Sequence, residues 1–320
     1  MLNYTPLVYS KAGPQGGRLI RKVIRTFREQ GVSLPLDSHI LIAVSGGADS
    51  VGLAHLVIHL GRKMVRPSQV TLLHVNHQWR GEQSDGDARF VEELGRKWGV
   101  PVVVRKTPPP RVGSGESWEN EARTERKKIF AQESARLGRA RVLTAHHADD
   151  LAETVLWRIL TGASETHGGG ILFQSGFEVR PFLSVKKALI TDYLAEAGES
   201  YRVDQTNFSD RFLRSRLRKT VMPELEKLFP KAVDHLGNLA LRAQKDKVGP
   251  GARSPEGEVL QYFLLASGLR PRRVHLEMVE EKMKEGGACQ GDIHLPQGWR
   301  LNREKDRQTS RIRWVLEKSE

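Results

Sequence analysis

A glycine-rich stretch near the N-terminus has the residue types and spacing of a phosphate-binding loop. Ser45-Gly46-Gly47-Ala48-Asp49-Ser50 follows an apolar run, Ile40 to Val44, and opens a stretch of helical pattern. Its backbone N–H groups and two hydroxyls can surround a phosphate at the positive end of a helix. The stretch lacks the G-x-x-x-x-G-K-[ST] spacing and the lysine of that loop class. An ordinary glycine turn capped by Asp49 is the alternative, but such a turn requires one glycine and not the full string.

Three carboxylates, those of Asp149, Asp150 and Glu153, surround the predicted start of a later helix. Carboxylate oxygens in that position can hold Mg²⁺ and share it with ATP phosphates. They can also bind an ammonium group or help to remove its proton, because only the neutral amine is nucleophilic. The alternative is simple N-capping of the helix by Asp149 or Asp150.

Histidines and arginines form two further candidate groups. His74, Asn76 and His77 lie at the end of the apolar run that begins at Val70. Arg123 and Arg126 are three residues apart and therefore share one face of a long charged helix. Arginines in this arrangement can clamp a phosphate or stack on a base. Taken alone, the histidines are more typical of structural residues, and the arginines of a solvated surface.

The elements between these motifs predict the fold that brings them together. Apolar strand patterns alternate with helical patterns over about 140 residues, which is typical of a parallel sheet covered by helices on both faces, with the ligand site at the carboxyl ends of the strands. We therefore expect an α/β catalytic domain over residues 1–222. Residues 223–320 are expected to form a smaller, mainly helical C-terminal domain that binds the substrate, with helical pattern from Met222 to Lys247 and from Glu258 to Gly286.

Composition narrows the class of partner. The 51 Lys and Arg residues exceed the 38 Asp and Glu residues, which gives a net charge of +13. Such a charge attracts a polyanion, so nucleic acid is the expected partner. One cysteine, Cys289, excludes a disulfide framework and a Cys-based metal site within one chain. The sequence has neither an apolar secretory signal nor a stretch of membrane-spanning length, so we expect a cytoplasmic protein without a membrane partner.

The motifs together resemble those of the bacterial tRNA(Ile)-lysidine synthases. The loop resembles the S-G-G-x-D-S pyrophosphate loop of the ATP pyrophosphatase (PP-loop) superfamily. The segments that begin at His74, Asn120 and Thr144 resemble H-V-N-H-x-L-R, N-x-A-R-x-x-R and T-A-H-H-x-D-D-x-x-E-T. Arg180-Pro181-Phe182-Leu183 and Arg214 to Arg218 resemble R-P-L-L and R-N-x-I-R. The resemblance runs in order from about Leu41 to Pro223 and is weaker beyond.

This resemblance implies an ATP-dependent ligase that uses Mg²⁺. It would adenylate the wobble cytidine of tRNA(Ile) with a CAU anticodon, and free L-lysine would then displace AMP to give lysidine. The implied ATP-binding residues are Ser45, Gly46, Gly47, Ala48, Asp49, Ser50, His74, Asn76 and His77. The implied catalytic residues are Asp49, Arg123, Arg126, Asp149, Asp150 and Glu153, with Asp49 and Asp149 as metal ligands and both arginines facing the RNA.

Departures from the family pattern leave two alternatives open. Trp79 and Lys127 replace a leucine and a tyrosine, which would alter base stacking, and Thr161 and Ser215 replace an arginine and an asparagine. One alternative is a tRNA thiolase of the same superfamily, although such enzymes usually need cysteines near the site. The other is an RNA-binding protein with a degenerate ATP site. The sequence also leaves a homodimer open.

Overall fold

The computed structural model describes most of the N-terminal 246 residues and three strands near the C-terminus. The described residues are 13–32, 39–60, 69–78, 81–108, 118–162, 170–202, 216–246, 293–295, 299–305 and 312–318. Side chains are described only within residues 13–244.

A six-stranded, mainly parallel sheet forms the centre of the N-terminal part. Its strands are β1 (Ile40–Ala43), β2 (Val70–Asn76), β3 (Val102–Lys106), β4 (Arg141–Leu143), β5 (Gln174–Ser175) and β6 (Glu178–Val179). They lie in the order β3-β2-β1-β4-β6-β5, and only the short edge strand β5 runs antiparallel to its neighbour. The predicted α/β fold with a parallel sheet is confirmed.

Helices connect the strands and cover the sheet. They are α1 (Pro14–Glu29), α2 (Ala48–His55), α3 (Glu82–Trp98), α4 (Trp118–Arg136), α5 (Ala148–Leu160), α6 (Lys187–Ala197), α7 (Met222–Leu228) and α8 (Ala232–Asp246). Wide π-type turns extend α2 over Leu56–Leu60 and precede α7 over Leu217–Val221. Helix α3 begins at Glu82, and its first turns are formed by the polar residues Glu82 to Gly86, which carry no apolar periodicity.

Alternate residues of the central strands face two separate cores, which is why these strands read as continuous apolar runs. Ile40 and Ile42 of β1 belong to the larger core, which also contains buried residues of α1, α2, α3 and α6. Leu41 points to the opposite face, where it packs in a smaller core with Ile129 and Phe130 of α4. Burial on both faces holds β1 and its neighbours rigidly, so the loops at their carboxyl ends have a fixed base.

The strand order creates a crevice at one edge of the sheet. The chain passes from β1 to β2 on one side and reaches β4 on the other, so β1 lies between β2 and β4. Loops that leave such a pair of neighbouring strands diverge, and ligands of open α/β sheets bind in the gap between them. The carboxyl ends of β1 and β4 carry the predicted loop and the predicted carboxylates, so the fold brings these two motifs to the same crevice.

The chain divides into two compact units, Met1–Pro250 and Gly251–Glu320. The expected boundary after residue 222 falls inside the first unit, because α8 packs against α5 and buries Val233 and Ala240. In the second unit, β7 (Ile293–Leu295), β8 (Trp299–Lys305) and β9 (Ile312–Lys318) form an antiparallel sheet. The helical pattern expected from Glu258 to Gly286 lies outside the described residues. The roles of the two expected domains stay predictions.

No helix in the described ranges is both long and apolar enough to cross a membrane.

Gly52 of α2 lies very close to α6, and this contact yields a stability prediction. A Cβ added at Gly52 would lie 2.6 Å from Cγ2 of the fully buried Ile190. Isoleucine has little rotamer freedom, so the helices would have to separate. We expect Gly52→Ala to lower the free energy of unfolding by about 1–3 kcal/mol in denaturant titrations. Gly17→Ala in α1 is the matched control, because its Cβ would meet only the flexible end of Arg21 at 3.3 Å. Equal stability of the two variants would contradict the close packing.

Candidate active site

The loop between β1 and α2 is folded around its own hydroxyl groups. The Ser50 hydroxyl donates to the Gly47 carbonyl oxygen at 3.0 Å and accepts the backbone N–H of Ser45 at 3.1 Å. Gly46 has a φ of 97°, a conformation that favours glycine. No atom outside the loop lies within 3.4 Å of a Cβ built at Gly46 or Gly47. The loop leads into the start of α2, where the first N–H groups of a helix lack partners and attract anions.

A cavity of about 380 Å³ opens above the carboxyl ends of the strands. One side is formed by the loop, including Ser45, Gly47 and Ser50. The other side is formed by α4 and by the segments that follow β4 and β6. The predicted residues that line this cavity are Ser45, Gly47, Asp49, Ser50, His77, Arg123, Arg126 and Asp150. The phosphate-binding loop and the two predicted arginines therefore share one space.

Asp49 and Asp149 lie on opposite sides of a buried histidine, His147. The Nε2 atom of His147 is 3.6 Å from Oδ2 of Asp49, and its Nδ1 atom is 3.3 Å from Oδ2 of Asp149. Asp150 lies 3.4 Å from Nε2. Burial alone would lower the pKa of His147, but Asp149, Asp49 and Asp150 outweigh burial and raise this pKa to about 10. His147 is consequently an imidazolium at neutral pH and balances part of the negative charge.

Lys187, the first residue of α6, connects the same two carboxylates. Its backbone N–H donates to Oδ2 of Asp149 at 2.9 Å, and its ammonium is 3.6 Å from Oδ2 of Asp49. Burial would raise the pKa of both aspartates, but His147 and Lys187 overcome it and hold both pKa values below the usual range. Asp49 and Asp149 are therefore ionised. Asp150 accepts the His147 N–H at the start of α5, as the N-capping alternative expects, whereas Asp149 accepts an N–H of the separate helix α6.

Asp150 and Glu153 contact one arginine of the segment before α7. Arg218 donates from Nε to Oε2 of Glu153 at 2.7 Å and from Nη2 to Oδ1 of Asp150 at 3.0 Å. The Glu153 side chain is only 3% exposed, whereas that of Arg218 is 56% exposed. Glu153 therefore depends on a cation that is itself open to solvent. The four predicted acidic residues form two groups, one around His147 and one around Arg218.

Arg218→Met tests whether this arginine compensates the buried carboxylate. Hydrogen bonds to charged groups contribute about 1.5–3 kcal/mol, so we expect roughly that loss in the free energy of unfolding at pH 7. Denaturant titrations at pH 7 measure the effect. Arg216→Met, at an exposed position two residues earlier, is the control. A loss equal to that of the control would contradict the role of Arg218.

Four cations surround the far side of the cavity: Arg123, Arg126, Lys127 and Arg180. Arg180 is buried and donates to Oε2 of Glu178 at 2.7 Å, and its Nε has no hydrogen-bond partner among the described residues. Burial, followed by Arg123 and then by Arg180, lowers the pKa of Arg126, and Glu178 offsets this only in part. Burial likewise lowers the pKa of Lys127. Cations this close repel one another, so a bound anion would relieve the repulsion.

Two histidines of the cavity lack charge at neutral pH. Burial, then Arg126 and His74, lower the pKa of His77 to about 4. Burial and the nearby arginines lower the pKa of His146 well below its ordinary value. These imidazoles offer neutral hydrogen-bonding groups next to the cations, which suits contact with a nucleotide base.

Two residues that were predicted to bind ATP, His74 and Asn76, form hydrogen bonds with other groups of the protein. His74 is buried and donates from Nδ1 to the Val44 carbonyl oxygen at 2.8 Å, which ties β2 to the start of the loop. Asn76 is buried, donates to Asp85 at 2.8 Å and accepts the backbone N–H of Gln78 at 2.9 Å. Neither lines the cavity. Their contacts support the loop, and direct binding of ATP by these two residues stays a prediction.

A magnesium ion bound with a nucleotide fits Asp49 better than Asp149. Within the described residues, no group of three or more His, Cys, Asp or Glu side chains is arranged to hold a metal ion by itself. Mg²⁺ usually takes one or two carboxylates and completes its shell with phosphates and water, so it does not need such a group. Oδ1 of Asp49 is buried without a hydrogen-bond partner in the part of the chain that the structure describes. Oδ2 of Asp149 already accepts the Lys187 N–H and contacts His147.

Sequence reasoning did not assign several residues that the structure brings to the site, and four of these are Lys127, His147, Arg180 and Lys187. Lys127, His147 and Arg180 lie inside or next to the family motifs, so their positions in these motifs could have identified them. Lys187 gave no local signal, because its contact with Asp149 joins residues 38 positions apart in the sequence. Sequence analysis assigned Arg123 and Arg126 to contact with RNA. It did not predict that both arginines line the same cavity as the phosphate-binding loop.

Sequence comparison relates the chain to known proteins. The family model described as the PP-loop domain matches residues 19–225. A tRNA(Ile)-lysidine synthase of Geobacter sulfurreducens is 36% identical over 231 residues, which are 69% of this chain and 47% of that protein. One of Thermus thermophilus is 34% identical over 273 residues, which are 81% of this chain and 52% of that protein. The chain spans about half the length of the curated relatives that it matches.

A solved structure is similar in fold. The U34-tRNA thiolase of Methanococcus maripaludis, with its 4Fe-4S cluster, superposes with a TM-score of 0.56 and 18% sequence identity. The match covers 72% of this chain and 80% of that chain. Identity this low shows the common fold alone.

Proposed function

The chain belongs to the PP-loop family, and from that premise we propose that it is an ATP-dependent ligase that joins lysine to C2 of a tRNA wobble cytidine. The substrate is tRNA(Ile) with a CAU anticodon, and the product is lysidine. The observation that carries the proposal is the single cavity that joins the phosphate-binding loop to four cations. Relatives named tRNA(Ile)-lysidine synthase, similar over about half of their length, support the choice of reaction.

In the first step, the cytidine O2 attacks the α-phosphorus of ATP and pyrophosphate leaves. Activation is necessary because a ring carbonyl oxygen leaves poorly until it carries a phosphate. The loop from Ser45 to Ser50 binds the ATP phosphates through N–H groups and hydroxyls. Arg126 and Arg180 lie across the cavity from the loop. Their fixed positive charges stabilise the negative charge that develops during transfer.

In the second step, the ε-amine of lysine attacks C2, the C2–O2 bond breaks, and AMP leaves with the oxygen. The amine must first lose a proton, because its ammonium form has no free electron pair. Asp49 lines the cavity, Asp149 lies on the other side of His147, and both are ionised, so we assign these two carboxylates to attracting the ammonium. Asp150 and Glu153 contact Arg218, so we assign them to holding the segment before α7 in place.

The reaction takes ATP as a substrate and Mg²⁺ as its metal. Mg²⁺ supplies charge neutralisation for the phosphates when it is bound. Asp49 would hold it through the unpartnered Oδ1 atom, with Asp149 as the second candidate ligand. We place this activity in the cytoplasm, where tRNA, ATP and lysine are all present.

The thiolase alternative is weaker for this chain. Clusters of the 4Fe-4S type are held by several cysteine thiolates, and the chain has one cysteine, Cys289. That residue lies outside the described part of the structure. An RNA-binding protein with an inactive ATP site is also disfavoured, because the loop keeps an ionised Asp49 at the start of α2.

Mass spectrometry of the anticodon fragment tests the proposal directly. The full chain is incubated with ATP, Mg²⁺, lysine and a tRNA(Ile) transcript with the CAU anticodon, and the RNA is then digested. We expect the cytidine to gain the mass of one lysine less one water. Omission of ATP and replacement of lysine by ornithine are the controls. Pyrophosphate release without any mass gain on the RNA would contradict lysine as the nucleophile.

A further inference from the structure

A second, larger cavity lies beside the site, between α1, the start of α6, and α8. Its volume is about 820 Å³. We call it the α1–α8 groove. The ionisable residues that line it are Arg18, Arg21, Lys22, Arg25, Glu29, Asp234 and Arg242. Five cations thus face two carboxylates, so the groove is strongly positive.

The two carboxylates of the groove do not cancel this charge. Glu29 lies 2.9 Å from Arg25 of the same helix. Asp234 lies 3.5 Å from Lys186, a further cation at the edge of the groove, which also contacts Glu226 at 3.2 Å. With Lys186 and Glu226 included, six cations face three carboxylates. The net charge of the groove stays at about +3.

The amphipathic pattern of α1 explains why the cations form a row. Leu19, Ile20, Val23 and Phe27 are buried in the core. Residues 18, 21, 22 and 25 share the adjacent face, because positions three and four apart are neighbours on a helix. The row spans roughly 10 Å along the helix. One small anion does not need a row of that length, so the arrangement fits a chain of several negative charges.

The groove also lies next to the candidate active site. Ala148 lines the groove, and the next residue, Asp149, belongs to the acidic group around His147. The Ala148 N–H donates to the Val185 carbonyl oxygen at 2.8 Å, so only the first turns of α5 and α6 separate the groove from that group.

We propose that the α1–α8 groove binds the phosphate backbone of the RNA substrate beside the nucleotide that is modified. This inference rests on the proposed function for the identity of the RNA, whereas the binding of an RNA backbone follows from the groove itself. The groove is a surface of the N-terminal unit, and one of its walls, α8, falls within residues 223–320, the region that sequence analysis assigned to the substrate.

The test compares two pairs of exposed arginines. Arg18→Gln/Arg242→Gln removes two charges from the groove. Arg96→Gln/Arg139→Gln removes two exposed charges near the amino ends of the strands, on the opposite side of the sheet. Affinity for the tRNA(Ile) transcript is measured between 50 and 300 mM KCl. The salt slope is the slope of log affinity against log salt concentration, and it falls by about one unit for each phosphate contact that is lost.

For the groove variant we expect a salt slope shallower by about 1.5–2 and an affinity about tenfold lower near physiological salt. Pyrophosphate release at saturating RNA and protection by ATP against thermal unfolding should stay within about twofold of wild type, because the groove does not contact ATP. Arg18→Glu alone should weaken binding further than Arg18→Gln. A groove variant that binds RNA like the control variant would overturn the inference, and a partner of another class, such as an acidic protein, would then be sought.

The outcome separates this inference from the proposed function. If wild type adds lysine to the RNA and the groove variant binds RNA like the control, the groove inference fails alone. If the groove variant loses RNA affinity while wild type adds no lysine, the proposed function fails and the groove remains an RNA-binding surface.

Discussion

Asp49→Ala is expected to reduce RNA-dependent pyrophosphate release by a hundredfold to about a thousandfold, while binding of the tRNA(Ile) transcript changes less than about threefold. Asp49 lies in the first turn of α2, where the phosphate-binding loop ends. Its Oδ1 atom is buried without a hydrogen-bond partner in the described structure, and its pKa is held low by His147 and Lys187 against the effect of burial. The variant would remove the ionised oxygen that is best placed for the metal of the nucleotide.

The loss of activity should not come from loss of the fold. Because His147 and Lys187 hold the pKa of Asp49 below its usual range, the ionised carboxylate stabilises the fold at neutral pH, so we expect the variant to melt at a slightly lower temperature and to remain folded under assay conditions. Asp49→Asn keeps the shape without the charge and should be about as inactive as Asp49→Ala. Asp192→Ala removes an exposed carboxylate of α6 and serves as the control. Wild-type pyrophosphate release by Asp49→Ala in the presence of tRNA would mean that the loop is not the ATP site.

The sequence predicted the parts of the site that are local in the chain. The loop from Ser45 to Ser50 could be placed because a strand, a glycine pair and a helix follow one another without interruption. The start of α5 could be placed for the same reason, and the alternation of strands and helices implied that both would meet at one edge of the sheet. The succession of elements along the chain was therefore enough to predict the fold class and the phosphate-binding loop.

The succession of elements did not predict which carboxylate pairs with which cation. Asp149, Asp150 and Glu153 are close in sequence, yet Asp149 turns to His147 and Lys187, whereas Glu153 turns to Arg218. Helix geometry alone would place Asp149 and Glu153, which are four positions apart, on one face of α5. Their partners come from α6 and from the segment before α7, 38 and 65 residues away along the chain. Only the packing of these elements decides which carboxylate is compensated by which cation.

Local sequence patterns also did not predict where the N-terminal unit ends. A helical pattern from Met222 to Lys247 is visible in the sequence, but a pattern does not show which body the helix packs against. In the structure, Val233 and Ala240 of α8 are buried in the N-terminal unit. This packing also creates one wall of the α1–α8 groove, which no single segment of sequence would have revealed.

The second large effect is expected from Arg126→Met. Arg126 lines the cavity opposite the loop, with Arg123, Lys127 and Arg180 as cationic neighbours. Burial and the neighbouring arginines lower its pKa, and Glu178 is bonded to Arg180. We expect RNA-dependent pyrophosphate release to fall about a hundredfold, because one fixed charge opposite the reacting phosphate is lost. ATP affinity, measured by titration without RNA, should fall less than about fivefold, since the loop supplies the phosphate contacts.

Arg126→Met should raise the stability of the protein although it lowers the activity. The cations of the cavity repel one another, so the loss of one charge is expected to raise the melting temperature by a few degrees, as happens when a functional site is relieved of strain. Lys128→Met is the matched control, because Lys128 lies on the same helix but pairs with Glu125 at 2.7 Å and does not line the cavity. It should leave both activity and ATP affinity near wild type.

The comparison with ATP affinity decides the role of Arg126. An unchanged affinity together with a large loss of rate would place the guanidinium at the RNA base or at the phosphate during transfer, as the sequence analysis expected of both Arg123 and Arg126. A loss of ATP affinity as large as the loss of rate would assign Arg126 to the nucleotide itself. Arg123→Met distinguishes the two arginines, because Arg123 is exposed whereas Arg126 is partly buried. Since solvent weakens the field of an exposed charge, the rate should fall less for Arg123→Met than for Arg126→Met.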